Sequence, residues 1–230
     1  MKVVDKEQER AEAAASPEGK KKKLIGNLAL ALVVVVLAAV VYVMNHNPAF
    51  TGTPHVVTVA GFSIEPGKTT VQELADAGFG ISDFSSLKTV ITDGAPVTGY
   101  TEVFDLTSET EAKSYYNMLK LVREGKSYGA LTVVNETSSA MPLADCKVRE
   151  ISVYSSDEEA DTATIDGIAM GQLSVEALTA VAGEPERTSD ETNAEGKKTS
   201  TFWEKGNYSM KLTVKEDGSA YVFTSSYEKQ

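Results

Sequence analysis

Leu24-Ile-Gly-Asn-Leu-Ala-Leu-Ala-Leu-Val-Val-Val-Val-Leu-Ala-Ala-Val-Val-Tyr-Val-Met44 is the stretch whose reading sets the organisation of this chain. It carries no charged side chain, and Asn27 is its one strongly polar residue. Its length meets the roughly 20 apolar residues that a helix needs to cross a hydrocarbon core. A buried helix of a water-soluble protein keeps a polar stripe, whereas this segment is apolar around its whole circumference. The sequence therefore predicts a transmembrane helix over Leu24–Met44.

Lys20, Lys21, Lys22 and Lys23 stand directly before it, while residues 45–55 (NHNPAFTGTPH) hold no Lys or Arg. By the positive-inside rule these four lysines are the topology signal, with the N-terminus inside and the C-terminal part outside a plasma membrane. The apolar run is longer than the roughly 7–15 residues of a cleaved signal peptide, so a single-pass signal anchor embedded in the lipid bilayer is expected. The predicted order is a cytoplasmic tail (1–23), the anchor (24–44), a stalk (45–54), an extracytoplasmic module (55–155), an acidic linker (156–163) and a second module (164–230). The tail has seven basic and five acidic residues, a net +2, so the whole-chain −11 leaves −13 beyond the anchor. That surplus argues against a nucleic-acid partner, whose phosphates need Lys and Arg. Cys146 is the only cysteine; no disulfide can form within the chain, and its alternating surroundings read as a buried strand rather than a nucleophile.

Along the outer part, β-branched residues predict a strand over His55–Ile64. Thr70 with Glu73 makes a capping box that opens a helix over Val71–Ala77, closed by Gly78. A strand is expected over Tyr100–Leu106. Ala112, Tyr115, Tyr116, Leu119 and Val122 fall on one helical face behind a second capping pattern, Ser108 with Glu111, and predict a helix over Ser108–Glu124; Tyr115–Val122 is also readable as a strand. Strands follow over Tyr128–Asn135 and Lys147–Tyr154, then a solvated connector over Ser155–Asp161. Ser174 caps a helix over Val175–Ala182, and strands over Thr199–Lys205, Tyr208–Lys215 and Ser219–Tyr227 end the chain, the last two joined at Asp217-Gly218.

Setting Gly61 on Gly167 aligns Gly67 with Gly171, Thr70 with Ser174, Val71 with Val175 and Leu74 with Leu178. These are the positions that turn, cap and pack a strand-turn-helix unit. The second unit, Ile168 to Pro185 followed by Phe202-Trp203 and strands around Asp217-Gly218, resembles the β-lactamase-inhibitor-protein and SmpA/OmlA-type envelope modules. The likeness covers Thr164–Tyr227 and, more loosely, Val57–Phe79; the section between them resembles only extracytoplasmic proteins of Gram-positive bacteria. With the predicted transmembrane helix, which stands where those modules have a lipid anchor, the expectation is an α+β fold of two related modules of short helices packed on antiparallel sheets. The resemblance also implies a non-catalytic module whose sheet faces a partner, here an envelope protein or peptide. Trp203 and Phe202 are the candidate contact residues, since tryptophan is enriched at binding hot spots; adjacent in a strand, they face opposite ways.

Catalytic patterns are sparse. Gly61-Phe-Ser-Ile-Glu-Pro-Gly67-Lys68-Thr69 resembles a phosphate-binding loop but has five residues, not four, before its Gly-Lys pair. His46 and His55 are the only histidines, and both follow closely on the predicted anchor, so neither a Ser-His-Asp triad nor a multi-histidine zinc site has members. No cofactor, metal site or catalytic residue is therefore expected. Two other readings stay open: a small-ligand sensor or carrier using Tyr115-Tyr116, and a hydrolase built on paired carboxylates.

Overall fold

A computed structural model of the chain describes residues 17–47, 52–92, 95–100, 102–193 and 196–228. The chain forms two compact units, Met1–Thr51 and Gly52–Gln230. The first contains the helix α1, Pro17–His46. It starts seven residues before Leu24 and so takes in Glu18 and the four lysines. Its unbroken run of described side chains, Leu30–Met44, is exposed throughout. Among the described residues no helix is long and apolar enough to cross a membrane, and the expectation of a transmembrane, single-pass helix is corrected on that finding. Lys21 is exposed. The side chains of Lys20, Lys22 and Lys23 and the residues of the tail before Pro17 lie outside the described ones.

The second unit is mostly antiparallel sheet, which corrects the α+β expectation. It opens with β1 (Val57–Val59) and β2 (Phe62–Ile64), then the helix α2 (Val71–Asp76), β3 (Gly80–Ser82), β4 (Leu87–Thr92), β5 (Ala95–Tyr100), β6 (Glu109–Thr110), β7 (Tyr115–Arg123) and β8 (Lys126–Val134). There follow β9 (Met141–Pro142), β10 (Lys147–Tyr154), β11 (Thr164–Ile165), β12 (Ile168–Ala169), the helix α3 (Val175–Ala182), β13 (Arg187–Asn193), β14 (Gly196–Lys205), β15 (Tyr208–Lys215) and β16 (Ala220–Tyr227).

One eight-stranded sheet, in the order β13-β14-β15-β16-β10-β8-β7-β3, runs through both expected modules. The picture of separate sheets is thus replaced by two four-stranded meanders fused where β10 pairs with β16. Hydrogen bonding explains the fusion: apart, β10 and β16 would each be an edge with an unpaired row of backbone groups. A small second sheet, β12-β11-β1-β2, joins the two aligned sequence stretches through the β1·β11 pair, with Thr58 opposite Thr164.

Local chemistry explains most elements. The strand expected over His55–Ile64 is two strands, because Ala60 (φ 46°) and Gly61 (φ 82°) form a left-handed two-residue turn; Asp166 (φ 47°) and Gly167 (φ 85°) do the same between β11 and β12. The capping box of Thr70 and Glu73 forms in full at α2, and Ser174 Oγ accepts from Ala177 N at α3. Both helices bury a leucine, Leu74 and Leu178, in the core that also holds Val59, Ile151, Ile165, Leu212 and Phe223.

The helix expected over Ser108–Glu124 is instead β6 and the strand β7. The misleading periodicity comes from a bulge: the pairing with β8 slips between Tyr116 and Leu119, where Met118 takes φ 57°. An extra residue in a strand breaks its two-residue alternation, and beyond it Leu119, Lys120, Leu121 and Val122 are buried in succession because both faces are covered, Leu119 and Leu121 in the core and Lys120 beside Asp157. Nor does Tyr100–Leu106 form a strand; β5 ends at Tyr100, and Phe104 N donates to Ile81 O beside β3.

Candidate functional site

Cross-strand pairing places one row of residues on the face of the large sheet that points away from the core. It runs Arg187, Phe202, Lys211, Thr224, Ser152, Ala130, Lys120, Ser82, one residue from each of the eight strands. Directly opposed residues share a face, and this row alternates with the core-facing set of Trp203, Met210, Phe223 and Leu131. At the β13 end the row is open to solvent, with Phe202 half-buried under the Arg187 guanidinium at 3.6 Å from its ring centroid. Next to it, the bulge between Thr213 and Val214 brings Tyr221 against Tyr154 edge-on, and Lys198 Nζ sits 3.7 Å from the Tyr221 ring centroid. Aromatic rings capped by cations give large contact area with little side-chain entropy to lose. Hydroxyl pairs tie the strands beneath them, Ser200 to Thr213 at 2.8 Å and Ser209 to Ser226 at 2.7 Å.

Toward β3 the same face closes over. The connector expected to be solvated, Ser155–Asp161, folds onto it: the side chains of Lys120 and Asp157 are 8% and 6% exposed and lie 3.4 Å apart. Asp157 also accepts from Ser127 Oγ at 3.1 Å and from Tyr154 N at 2.9 Å, and Lys126 bonds Glu159. An acidic run looks solvated in sequence because nothing local shows a lysine buried in a strand thirty-seven positions earlier.

The two candidate contact residues therefore part company. Trp203 is 3% exposed, faces the core and donates from Nε1 to Gly183 O at 2.9 Å. Phe202 lies on the outer face.

The remaining reactive groups hold structure. His55 Nδ1 and Asp166 Oδ2 are 2.8 Å apart, and Asp166 Oδ1 accepts from Val56 N, clamping β1 to the β11–β12 turn. Cys146 is buried, and burial pushes its thiol up, with Thr110 pulling the other way. Around the glycine loop, Lys68 bonds Glu65 at 2.7 Å and Thr69 Oγ1 accepts from Glu65 N at 2.9 Å, so the Gly-Lys-Thr stretch is a closed turn. Asn135, in the sequon Asn135-Glu136-Thr137, is fully buried and donates to the carbonyls of Thr110, Glu111 and Ser139. Among the described residues no group of three or more His, Cys, Asp or Glu is placed to hold a metal ion.

Compared with protein-family models, with curated proteins and with solved structures, the chain matches none. What the surface can do therefore rests on its own chemistry.

A second feature lies at the other end of the sheet. Phe104, Ser108, Glu109, Thr110, Tyr116, Leu119 and Leu143 line a cavity of about 180 Å³. Tyr116 is exposed where it lines the cavity, while Tyr115, its neighbour in the strand, lies under the Arg149 guanidinium. Sequence reasoning singled out the tyrosines but could not find the cavity, because its far wall comes from the Phe104–Thr110 passage.

Proposed function

We propose that the unit Gly52–Gln230 is a non-catalytic protein-binding module whose docking surface is the open half of the outer sheet face. The observation that carries this reading is the outer face of β13 to β16, where Phe202 lies under Arg187 and Tyr221 under Lys198. Interface cores are enriched in Tyr, Phe and Arg, and a rigid sheet presents them at low entropic cost. The resemblance of Thr164–Tyr227 to inhibitor-protein and SmpA/OmlA-type modules supports the same reading.

A small-ligand carrier is less well supported: ligand pockets run to roughly 300–1,000 Å³, whereas the cavity by Tyr116 holds about 180 Å³ and the more open cleft lined by Phe62, Lys68 and Glu73 about 280 Å³. The test is parallel capture on the immobilised full chain and on its Phe202→Ala/Lys211→Glu variant. A protein retained by the first and released by the second, with melting unchanged, is the expected result. Equal retention on both, or a hydrolase activity that copurifies with the chain, overturns the reading.

A further inference from the structure

We infer that the cavity beside β7 is a second binding site, which takes one aromatic side chain from an extended, basic segment of a partner protein. This goes beyond the sheet-face reading and does not depend on it.

Three observations point to that occupant. The first is size and lining: about 180 Å³ walled by Phe104, Tyr116, Leu119 and Leu143, somewhat more than the ~150 Å³ apolar cavity that accepts benzene. A single ring fits there. The second is an unanswered polar atom. Thr110 is 1% exposed and lines the cavity, yet among the described residues its Oγ1 meets no nitrogen or oxygen partner, only the Cys146 thiol. Buried hydroxyls are normally satisfied, and the neighbouring Cys146 thiol is only a weak partner. A ring bearing its own donor, an indole N–H or a phenol O–H, would supply the missing bond.

The third observation is charge. Glu109 lines the cavity, and Asp105 and Glu111 flank its wall, both exposed. Hydrogen bonds from Thr107 hold the Asp105 carboxyl below its usual range and therefore ionised. Against these three carboxylates Lys113, which donates to Glu136 O, is the one basic residue of the stretch 105–114, and Arg149 bonds Glu228 while stacking on Tyr115. The rim thus selects Lys or Arg on either side of the ring. β3 pairs with β7 only along Lys120–Val122. Among the described residues no strand pairs with Tyr115–Leu119 on that side, and an extended segment can lie along this edge.

The test is calorimetric titration of the full chain with acetyl-Lys-Lys-Trp-Lys-Lys-amide, beside the same peptide with Ala for Trp and with Glu for each Lys. Saturable binding by the first peptide alone is expected. Tyr116→Ala and Glu109→Lys, both at exposed positions, should each weaken it about ten-fold or more. Thr110→Val should weaken the Trp peptide but leave a Phe counterpart unchanged, a readout that general loss of packing would not give. Phe202→Ala on the sheet face should change nothing. No saturable heat with the Trp peptide, equal binding of the Ala peptide, or loss of binding in Phe202→Ala would overturn the inference, and the last would leave the sheet-face reading standing.

Discussion

Ser152 Oγ and Thr224 Oγ1 meet at 2.8 Å across the β10·β16 pair, at the seam where the two meanders become one sheet. Both side chains are buried. Removing one partner strands the other, while removing both leaves an apolar contact. Thr224→Val should therefore cost about 1–2 kcal/mol in urea unfolding, and Ser152→Ala/Thr224→Val should cost less than the sum of the single changes. Additive losses would show that the two hydroxyls do not interact.

The buried ion pair of Lys120 and Asp157 makes a sharper case. Taking away one partner leaves a desolvated charge, so Asp157→Ala should destabilise the unit by about 3–5 kcal/mol. Lys120→Met/Asp157→Leu should regain much of that loss, because two apolar groups of similar volume need no pairing. Denaturant midpoints of the three variants decide it; a mild effect of Asp157→Ala would mean that Ser155–Asp161 does not stay docked on the sheet.

Gly67 and Gly171 align in sequence but not in constraint. Gly67 has φ 79°, and a Cβ there would lie 2.5 Å from the Tyr227 ring, whereas a Cβ on Gly171 meets nothing within 4 Å. Gly67→Ala should cost about 2–4 kcal/mol through left-handed strain and overpacking. Gly171→Ala should be neutral or stabilising by up to about 1 kcal/mol. Thermal melting of the two variants side by side is the check, and equal effects would contradict the geometry.

Burial pushes the phenols of Tyr154, Tyr208 and Tyr227 above their ordinary value of 10.0, with the Asp157 carboxylate adding to the effect at Tyr154. A raised folded-state pKa means that the folded chain holds the proton more tightly. Its stabilising contribution is complete below about pH 10 and is lost as pH rises through the folded values. The urea midpoint should fall across that window, and Tyr154→Phe should make the fall shallower. A midpoint as steep in Tyr154→Phe as in the parent chain would remove Tyr154 as a cause.

Features legible in the sequence were those that a few neighbouring residues determine. The Thr70–Glu73 capping box, the Ser174 cap with Gly183 behind it, the Asp217-Gly218 turn, and the strands Lys147–Tyr154 and Tyr208–Lys215 are all of this kind. Hydrogen-bond partners three or four residues away, or a strict two-residue alternation, leave a local imprint that can be read without the fold. The opposite faces of Phe202 and Trp203 followed from strand geometry alone; which of them faces the core did not.

Only the tertiary structure decided the rest, because the partners are far apart in the chain. The bulge at Met118 turned an expected helix into β7. Lys120 gave the acidic run a buried counter-charge. Fusion of β10 with β16 made one sheet where two modules were expected, and the Phe104–Thr110 passage closed a cavity that no single segment outlines. Burial is a property of the assembled chain: it depends on which distant surfaces exclude water from a side chain, and the residues beside it do not encode that.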